Sequence, residues 1–186
     1  MNNHIDIKID TQRLVLKNLK KEHVTNDYVN WLNDLEINKY LCVDTKQTFE
    51  SCINYVNSFQ SKDDSVLIGI FYKKKMLHIG NLTITNLNFK SGTAWIGYSI
   101  GRKEFHKKGI AEEALNALVA YCFSFLPLNS INIGAHVKNI SSVILAIRCG
   151  FRITGIMRES AIIDGKPEDS YILSLLKSEY EMANNY

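Results

Sequence analysis

One segment limits the fold of this chain more than any other: a strand that runs through a basic, glycine-containing loop into an apolar-striped helix. Residues 95–100 read WIGYSI and alternate between faces, as a half-buried strand does. The loop 102–111, RKEFHKKGIA, carries four cations against one acid, and apolar residues then recur at helical spacing up to Phe125. A helix N-terminus offers unpaired N–H groups and the positive end of the macrodipole, and a glycine lets an anion approach the backbone. The segment therefore predicts a phosphate site around Gly109.

The loop does not match the common nucleotide motifs. It lacks the further glycines of the dinucleotide pattern and the Gly-Lys-Ser/Thr ending of a P-loop. A glycine between a strand and a helix often serves the turn alone. The phosphate interpretation therefore depends on a second, independent group of residues.

Length and charge narrow the class of protein. The 186 residues suit one domain, 1–186, which is large enough to bury about 70% of the surface of the unfolded chain. A formal net charge of +3 is too small to favour nucleic acid as a partner, and most of it can come from the loop. No run approaches the ~18 apolar residues of a membrane span, and the first twenty residues are polar and alternating. We therefore expect a cytoplasmic protein with no membrane partner.

The cysteines and histidines predict neither disulfides nor a metal site. The four cysteines have no close pairing, and we expect free thiols at Cys42, Cys52, Cys122 and Cys149. The five histidines show no metal-ligand spacing with one another or with the cysteines. We expect no bound metal.

Two periodicities organise the rest of the chain. Alternation predicts strands at 13–19, 65–72, 76–87, 93–100 and 130–137, and a final pair from residue 151 onward around a turn at 164–167. Helical spacing predicts helices at 21–32, 35–41, 48–59, 109–125 and 141–149. Short turns between residues 65 and 100 indicate an antiparallel meander, and the strand–helix–strand order after residue 95 indicates a right-handed crossover. We therefore expect an α/β (α+β) domain with a mixed, mostly antiparallel sheet and helices on both faces.

The second group of residues follows the loop by about thirty positions. It reads NISS at 139–142 and leads through a short apolar helix to RCGF at 148–151. Each piece alone is an ordinary helix cap or helix C-terminus. In this order after KKGIA, however, the pieces resemble the GCN5-related N-acetyltransferase (GNAT) superfamily. TQRL at 11–14, WLND at 31–34, IGYS at 96–99 and GIMRE at 155–159 resemble its branch of ribosomal-protein N-terminal acetyltransferases and sugar-modifying relatives.

The resemblance implies an enzyme that moves an acetyl group from acetyl-CoA to a primary amine by direct attack in a ternary complex. It implies a single GNAT-like domain in which the strand 93–100 separates from a parallel neighbour. The residues carried over to cofactor binding are Tyr98, Ser99, Ile100, His106, Lys107, Lys108, Gly109, Ile110, Ala111, Asn139 and Ser142.

Two departures from the family pattern concern catalysis. Many relatives have a general-acid Tyr where this chain has Ala146, and relatives in this branch often have Glu where it has Trp95. Ser142 is the nearest matched hydroxyl that could assist the leaving thiol. The candidates for a general base are Glu36, His136 and Glu159. An alkylamine of pKa ~10.4 costs ~4 kcal/mol to deprotonate at pH 7, against ~1 kcal/mol for an α-amino group or amino sugar, so a weak base favours an acceptor of low pKa.

The acceptor is expected between the early helices and the final hairpin. The resemblance assigns Trp31, Asp34, Glu36 and Tyr40 to it, together with the acidic segment 159–169. A small-molecule amine such as an amino sugar is favoured, because 31–34 resembles sugar-modifying members. A protein N-terminus, a polyamine, an aminoglycoside and a non-catalytic acyl-CoA-binding module stay open, as does a homodimer.

Overall fold

The computed structural model describes residues 5–41, 43 and 46–184. Its centre is an eight-stranded sheet with the order β1-β2-β3-β4-β5-β6-β8-β7. The strands are β1 Lys8–Asp10, β2 Leu14–Asn18, β3 Val66–Tyr72, β4 Leu77–Asn88, β5 Thr93–Ile100, β6 Ser130–His136, β7 Arg152–Ile163 and β8 Lys166–Leu176. The helices are α1 Asn26–Asn33, α2 Leu35–Asn38, α3 Phe49–Ser58, α4 Ile110–Phe125, α5 Ile140–Arg148 and α6 Lys177–Asn184.

The sheet is antiparallel except at one pair of strands. β5 and β6 run parallel, and they are joined by α4 as a crossover connection requires. Their register covers Thr93 to Trp95 on β5 and Ser130 to Asn132 on β6, and it ends there. Beyond that point the two strands separate, which opens a gap in the middle of the sheet. The expected α/β class, with a mostly antiparallel sheet and one splayed parallel pair, is confirmed.

Strand alternation sends apolar side chains to two cores. In β3, Ile68 and Ile70 pack under α4 in the larger core, whereas Leu67 and Phe71 pack under α1 and α3 in the smaller one. All four side chains are buried. The helices therefore cover both faces of the sheet, as predicted, and the gap between β5 and β6 lies between the two layers.

The predicted helix at 21–32 is divided in the structure. A 3-10 turn covers Lys21–His23, and α1 begins only at Asn26, because the Thr25 hydroxyl accepts a hydrogen bond from the Tyr28 N–H and so caps the helix. The predicted helix at 35–41 is shorter, ending at Asn38. The edge strand β1 and the terminal α6 were not predicted; β1 has only three residues and follows no clear alternation.

The final hairpin matches its sequence signature. β7 and β8 are joined by Asp164 and Gly165, whose φ values of +52° and +75° belong to the turn that Asp-Gly favours. A second irregularity lies within β7, where the register shifts between Met157 and Ala161 and Glu159 has a φ of +49°. The hairpin thus carries a bulge on the edge strand of the sheet.

The sequence predicted neither a membrane-spanning helix nor a metal site. Among the described helices, none has the length and apolarity to cross a bilayer. The described His, Cys, Asp and Glu side chains form no group of three or more that could hold a metal ion. Cys52, Cys122 and Cys149 are buried free thiols, and Cys42 lies outside the described residues.

Candidate functional site

A cleft of about 1080 Å³ occupies the gap between β5 and β6. Residues 96–100 and 133–136 form its two strand walls. On one face of the sheet, here called the α4 half, it is lined by Phe105, His106, Lys107, Gly109, Ile110, Ala111, Glu112, Asn139, Ser141, Ser142, Leu145 and Arg148. On the other face, the α1 half, it is lined by Tyr28, Leu32, Glu36, Ile37, Tyr40, Leu41, Val43, Gln47, Cys52, Tyr55, Leu67, Asn81 and Thr83. The cleft therefore connects the two layers of the protein.

The α4 half contains the predicted phosphate loop. Gly109 has a φ of +71° and precedes the first residue of α4, so the N–H groups that open this helix have no side-chain cap in the described chain. Lys107 also has a left-handed backbone, with a φ of +57°, and its side chain is exposed. Left-handed residues on either side of Lys108, followed by a helix N-terminus, form a concave set of N–H donors. The loop has the geometry of an anion site.

The guanidinium group of Arg13 forms hydrogen bonds with the backbone of the phosphate loop. Its Nη1 donates to the carbonyl oxygen of Lys108 at 2.9 Å, and its Nη2 donates to that of Gly109 at 3.2 Å. Its Nε donates to Glu113 Oε2 at 2.6 Å, and Glu113 Oε1 accepts from the Arg13 N–H and from the Thr11 hydroxyl. Although burial acts in the opposite direction, these hydrogen bonds lower the pKa of Glu113. The loop carbonyls thus point away from the anion site, and sequence reasoning did not find this contact.

The predicted cofactor residues are brought together with one exception. Tyr98, Ser99, Ile100, His106, Lys107, Gly109, Ile110, Ala111, Asn139 and Ser142 all line the cleft. Lys108 does not line it; its side chain is exposed and its carbonyl is held by Arg13. His106 Nε2 lies 2.9 Å from the carbonyl oxygen of Ile100 and so ties the loop to the end of β5.

A hydroxyl pair crosses from β5 to α5. The Tyr98 hydroxyl lies 2.7 Å from Ser142 Oγ and 2.8 Å from the Ser142 carbonyl oxygen. Burial raises the pKa of Tyr98 to about 12, although the hydrogen bond to Ser142 acts against this shift. Asn139 caps α5 by accepting a hydrogen bond from the Ser142 N–H at 3.2 Å. Tyr98 was predicted as a cofactor-binding residue, and in the structure its hydroxyl group forms a hydrogen-bonded pair with Ser142.

His136, the last residue of β6, lines the cleft where its two halves meet. It is 6% exposed, and the ring of Tyr40 stacks on it with centroids 5.4 Å apart. The Lys138 N–H donates to its Nδ1 at 3.2 Å, so a neutral ring carries its proton on Nε2. Among the described residues, Nε2 has no hydrogen-bond partner. His136 therefore holds a buried donor on Nε2, and this tautomer does not suit the general base that the sequence suggested.

The other predicted groups of the early helices divide between the cleft and its surroundings. Glu36 and Tyr40 line the cleft, but the Glu36 side chain is 81% exposed and lies 2.7 Å from Lys103 Nζ. Asp34 does not line the cleft; it caps α2 and forms an ion pair of 2.8 Å with the same Lys103. The hydrogen bond from Lys103 is the main reason that the pKa of Asp34 is lowered.

Trp31 packs into the core beside the cleft. It is 6% exposed, and a Cβ at Gly101 would come within 1.6 Å of its ring, so the indole needs a glycine at that position. Its ring also contacts Tyr28 and His78 edge to face. The structure thus gives Trp31 the position of a residue that fixes α1 to the end of β5, and not of one that lines the acceptor space.

The acidic hairpin is tied to nearby lysines and stays outside the cleft. Asp164 pairs with Lys39 at 2.9 Å, and Glu168 pairs with Lys138. Glu159 is exposed on the bulge of β7, where its N–H donates to Asp169 Oδ1 at 2.8 Å. None of these described acids lines the cleft, so Glu159 is not brought to the place where a general base would act.

The two halves of the cleft suit two molecules that react with each other. A thioester that carries phosphate groups would occupy the α4 half, and the second molecule would occupy the α1 half. The α4 half offers Lys107, Arg148 and the start of α4 to phosphate groups. Because β5 and β6 separate, a narrow extended group can enter between them and reach Tyr98 and His136. The residues present thus fit a coenzyme A thioester.

Comparisons with known proteins agree with this geometry. The acetyltransferase (GNAT) domain model matches residues 13–152, which is most of the chain. The uncharacterized N-acetyltransferase p20 of Bacillus licheniformis is 30% identical over 174 residues, covering 91% of this chain and 96% of the relative. The ribosomal protein uS5 alanine N-acetyltransferase of Escherichia coli is 26% identical over 133 residues, covering 71% of this chain and 68% of the relative.

A solved structure shares the fold. The spermidine N-acetyltransferase of Vibrio cholerae, determined in complex with CoA and spermine, superposes with a TM-score of 0.83 at 23% identity. The match covers 92% of this chain and 99% of that one. Since the family model spans both the phosphate loop and the α5 cap, the chain belongs to the GNAT acetyltransferase family and is an acetyl-CoA-dependent N-acetyltransferase.

Proposed function

We propose that this enzyme acetylates a primary amine of low pKa by direct attack in a ternary complex, and that the amine belongs to a small molecule such as an amino sugar. The observation that carries the proposal is the continuous cleft, whose cationic half and aromatic half meet where β5 and β6 separate. Two ligands can therefore occupy the cleft together, one from each face of the sheet. When bound, acetyl-CoA supplies the acetyl group on a thioester.

The α4 half would hold the diphosphate and the pantetheine arm. The N–H groups at the start of α4 are the donors for phosphate, and Asn139 and Ser142 lie further along the cleft beside β5. The position of Lys107 at the rim adds a positive charge. These residues bind and orient the donor; they need not change protonation.

Tyr98 and Ser142 would assist the departing sulfur by hydrogen bonding. A thiol of pKa ~8.5 is already a fair leaving group at neutral pH, so it requires stabilisation more than a proton. With a pKa raised to about 12, Tyr98 keeps its proton, which it donates to the Ser142 carbonyl oxygen in this structure and would turn toward the sulfur when the thioester is bound. Ser142 Oγ, 2.7 Å from the Tyr98 hydroxyl, extends this pair. The pair would replace the Tyr that relatives place where this chain has Ala146.

Neither Glu36 nor His136 is well placed to act as a base, which favours an amine of low pKa. Glu36 is exposed and bound to Lys103, and His136 accepts the Lys138 N–H on Nδ1. An amine with a pKa near 8 is neutral often enough at pH 7 to attack with little help, whereas one near 10.4 is not. His136 Nε2–H is buried without a hydrogen-bond partner among the described residues, and it would donate to a carbonyl oxygen that reaches it.

A protein N-terminus is the second candidate. Its α-amino group has a similarly low pKa, about 7.7–8.0, and the Escherichia coli relative is an alanine N-acetyltransferase of ribosomal protein uS5.

Thiol release from acetyl-CoA tests the proposal directly. The purified enzyme would be assayed with glucosamine, a peptide beginning with alanine, and no amine, with both substrates varied. Intersecting initial-velocity lines and no thiol release without amine are expected of a ternary complex. Parallel lines, or an acetylated protein isolated in the absence of amine, would contradict direct attack.

A further inference from the structure

We infer that the α1 half of the cleft selects an acceptor with a single amine on an uncharged, oxygen-bearing body and rejects polyamines. The inference rests on the proposed function and specifies its substrate class. It departs from the similarity in fold to a spermidine N-acetyltransferase. Three features of the described residues carry it.

The first feature is the charge of the wall. Among the described residues that line the α1 half, Glu36 is the one carboxylate. It lies at the rim, with 81% of its side chain exposed, and Lys103 Nζ is 2.7 Å away. A polyamine presents further ammonium groups beyond the reacting amine, and each of these needs an anionic partner when it leaves water. The described wall provides no such partner within its interior.

The second feature is the pairing of the acids around the cleft. Asp34 shares Lys103 with Glu36, at 2.8 Å. Asp164 is paired with Lys39, also on the acceptor side, at 2.9 Å. These ion pairs place lysines at the same rim as the acids. Each of these described acids thus has a lysine within ion-pair distance, which weakens the attraction that it offers to a polycation.

The third feature is the set of hydrogen-bond donors in the wall. The Tyr28 hydroxyl accepts a hydrogen bond from Asn81 Nδ2 at 3.2 Å, and burial raises the pKa of Tyr28, so its proton stays in place for donation. His136 contributes Nε2–H, which has no partner among the described residues. These two buried donors at the base of the wall match oxygen acceptors, such as hydroxyl or carbonyl groups, on a ligand that reaches them.

The shape of the wall agrees with these donors. Tyr28, Tyr40 and Tyr55 line the α1 half together with aliphatic side chains such as Leu32 and Leu67. Aromatic faces of this kind pack against the apolar face of a ring or a short aliphatic body. An amino sugar and a neutral α-amino amide both have such a body and carry oxygen atoms.

A specificity comparison at saturating acetyl-CoA tests the inference. We would measure kcat/KM at one pH and ionic strength for glucosamine, alaninamide and spermidine. At least one single amine is expected to exceed spermidine by more than tenfold. Spermidine equal to or better than both single amines would overturn the inference while leaving the proposed chemistry intact. If none of the three released thiol, the proposed function itself would fail.

A charge introduced into the wall gives an independent readout. Thr83→Asp places a carboxylate in the α1 half at little change in size, and Asn116→Asp, on the exposed surface of α4, is the matched control. Thr83→Asp is expected to raise the ratio of spermidine to single-amine kcat/KM at least fivefold, while Asn116→Asp leaves it unchanged. Coenzyme A affinity and the melting temperature would confirm that the variant is folded. An unchanged ratio in a folded variant would overturn the role of wall charge.

Discussion

Arg13 Nη1 donates a hydrogen bond to the carbonyl oxygen of Lys108 at 2.9 Å, which ties the residue before β2 to the loop before α4. The two residues are 95 positions apart in the chain. The same guanidinium is held in place by Glu113, one turn into α4. This contact fixes the direction of the loop carbonyls and therefore of the loop N–H groups on the opposite side.

Removing the guanidinium should weaken donor binding. Arg13→Met is expected to lower coenzyme A affinity about tenfold, roughly 1.4 kcal/mol, because the loop loses two hydrogen bonds that orient its donors. Titration calorimetry with coenzyme A measures this change. Arg152→Met is the control, since Arg152 pairs with Glu179 at 2.8 Å outside the cleft. Equal affinity in both variants would show that the loop holds its shape without Arg13.

A carboxylate at position 109 should weaken coenzyme A binding far more than a methyl group. Gly109→Asp is expected to reduce coenzyme A affinity by more than a hundredfold, because its carboxylate would face the bound phosphates. Gly109→Ala should weaken coenzyme A binding by only about 1 kcal/mol. A φ of +71° strains a residue that has a Cβ, but the added methyl group would meet no atom closer than Arg13 Nη2, at 3.5 Å. Binding of coenzyme A to Gly109→Asp at wild-type strength would remove the loop from the cofactor site.

The Tyr98 and Ser142 hydroxyls should affect turnover more than binding. Tyr98→Phe and Ser142→Ala are each expected to lower kcat about tenfold, the value of one hydrogen bond that strengthens as charge develops on sulfur. Coenzyme A affinity should change less than threefold. The double variant should lose little more than either single variant, because the two hydroxyls act as a pair. Wild-type kcat in both single variants would exclude this role.

His136 should act as a donor, which distinguishes it from a base. His136→Gln keeps an N–H donor and is expected to retain more activity than His136→Ala, which should lose at least tenfold in kcat/KM for the amine. If His136 were a general base, neither Gln nor Ala could replace it, and both variants would lose the acidic limb of the pH–rate profile. Steady-state kinetics between pH 6 and 9 separate the two cases.

His78 should make stability depend on pH. Burial is the largest cause that lowers its pKa from 6.5 to about 4, so the folded state holds the ring neutral while the unfolded chain binds a proton below pH 6.5. The contribution of the neutral His78 ring to the free energy of unfolding is therefore complete above pH 6.5. As the pH falls toward 4, the free energy of unfolding decreases by at most about 3 kcal/mol. Urea unfolding at pH 7 and pH 4.5 measures it. His78→Gln should show a smaller difference between the two pH values; an identical difference would assign the effect to other groups.

Local sequence patterns were sufficient for most of the fold. Alternation in β3 and β5, helical spacing in α4 and the Asp164–Gly165 turn depend on the residues themselves and their nearest neighbours. The phosphate loop could be predicted for the same reason, because a helix N-terminus and its glycine are adjacent in the chain. The resemblance in order and spacing extended this to a family, which the domain model over 13–152 confirmed.

Only the tertiary structure decided which side chains meet in the cleft. Trp31 and Glu36 belong to neighbouring turns, yet one packs against Gly101 in the core and the other lies at the rim with Lys103. The Arg13 support, the Tyr98–Ser142 pair and the orientation of His136 join residues or backbone groups whose positions depend on how the sheet and helices pack. Periodicity determines which face of an element is apolar, whereas contacts between distant segments, and the pairing of charges that follows from them, are set by the packing of the whole domain.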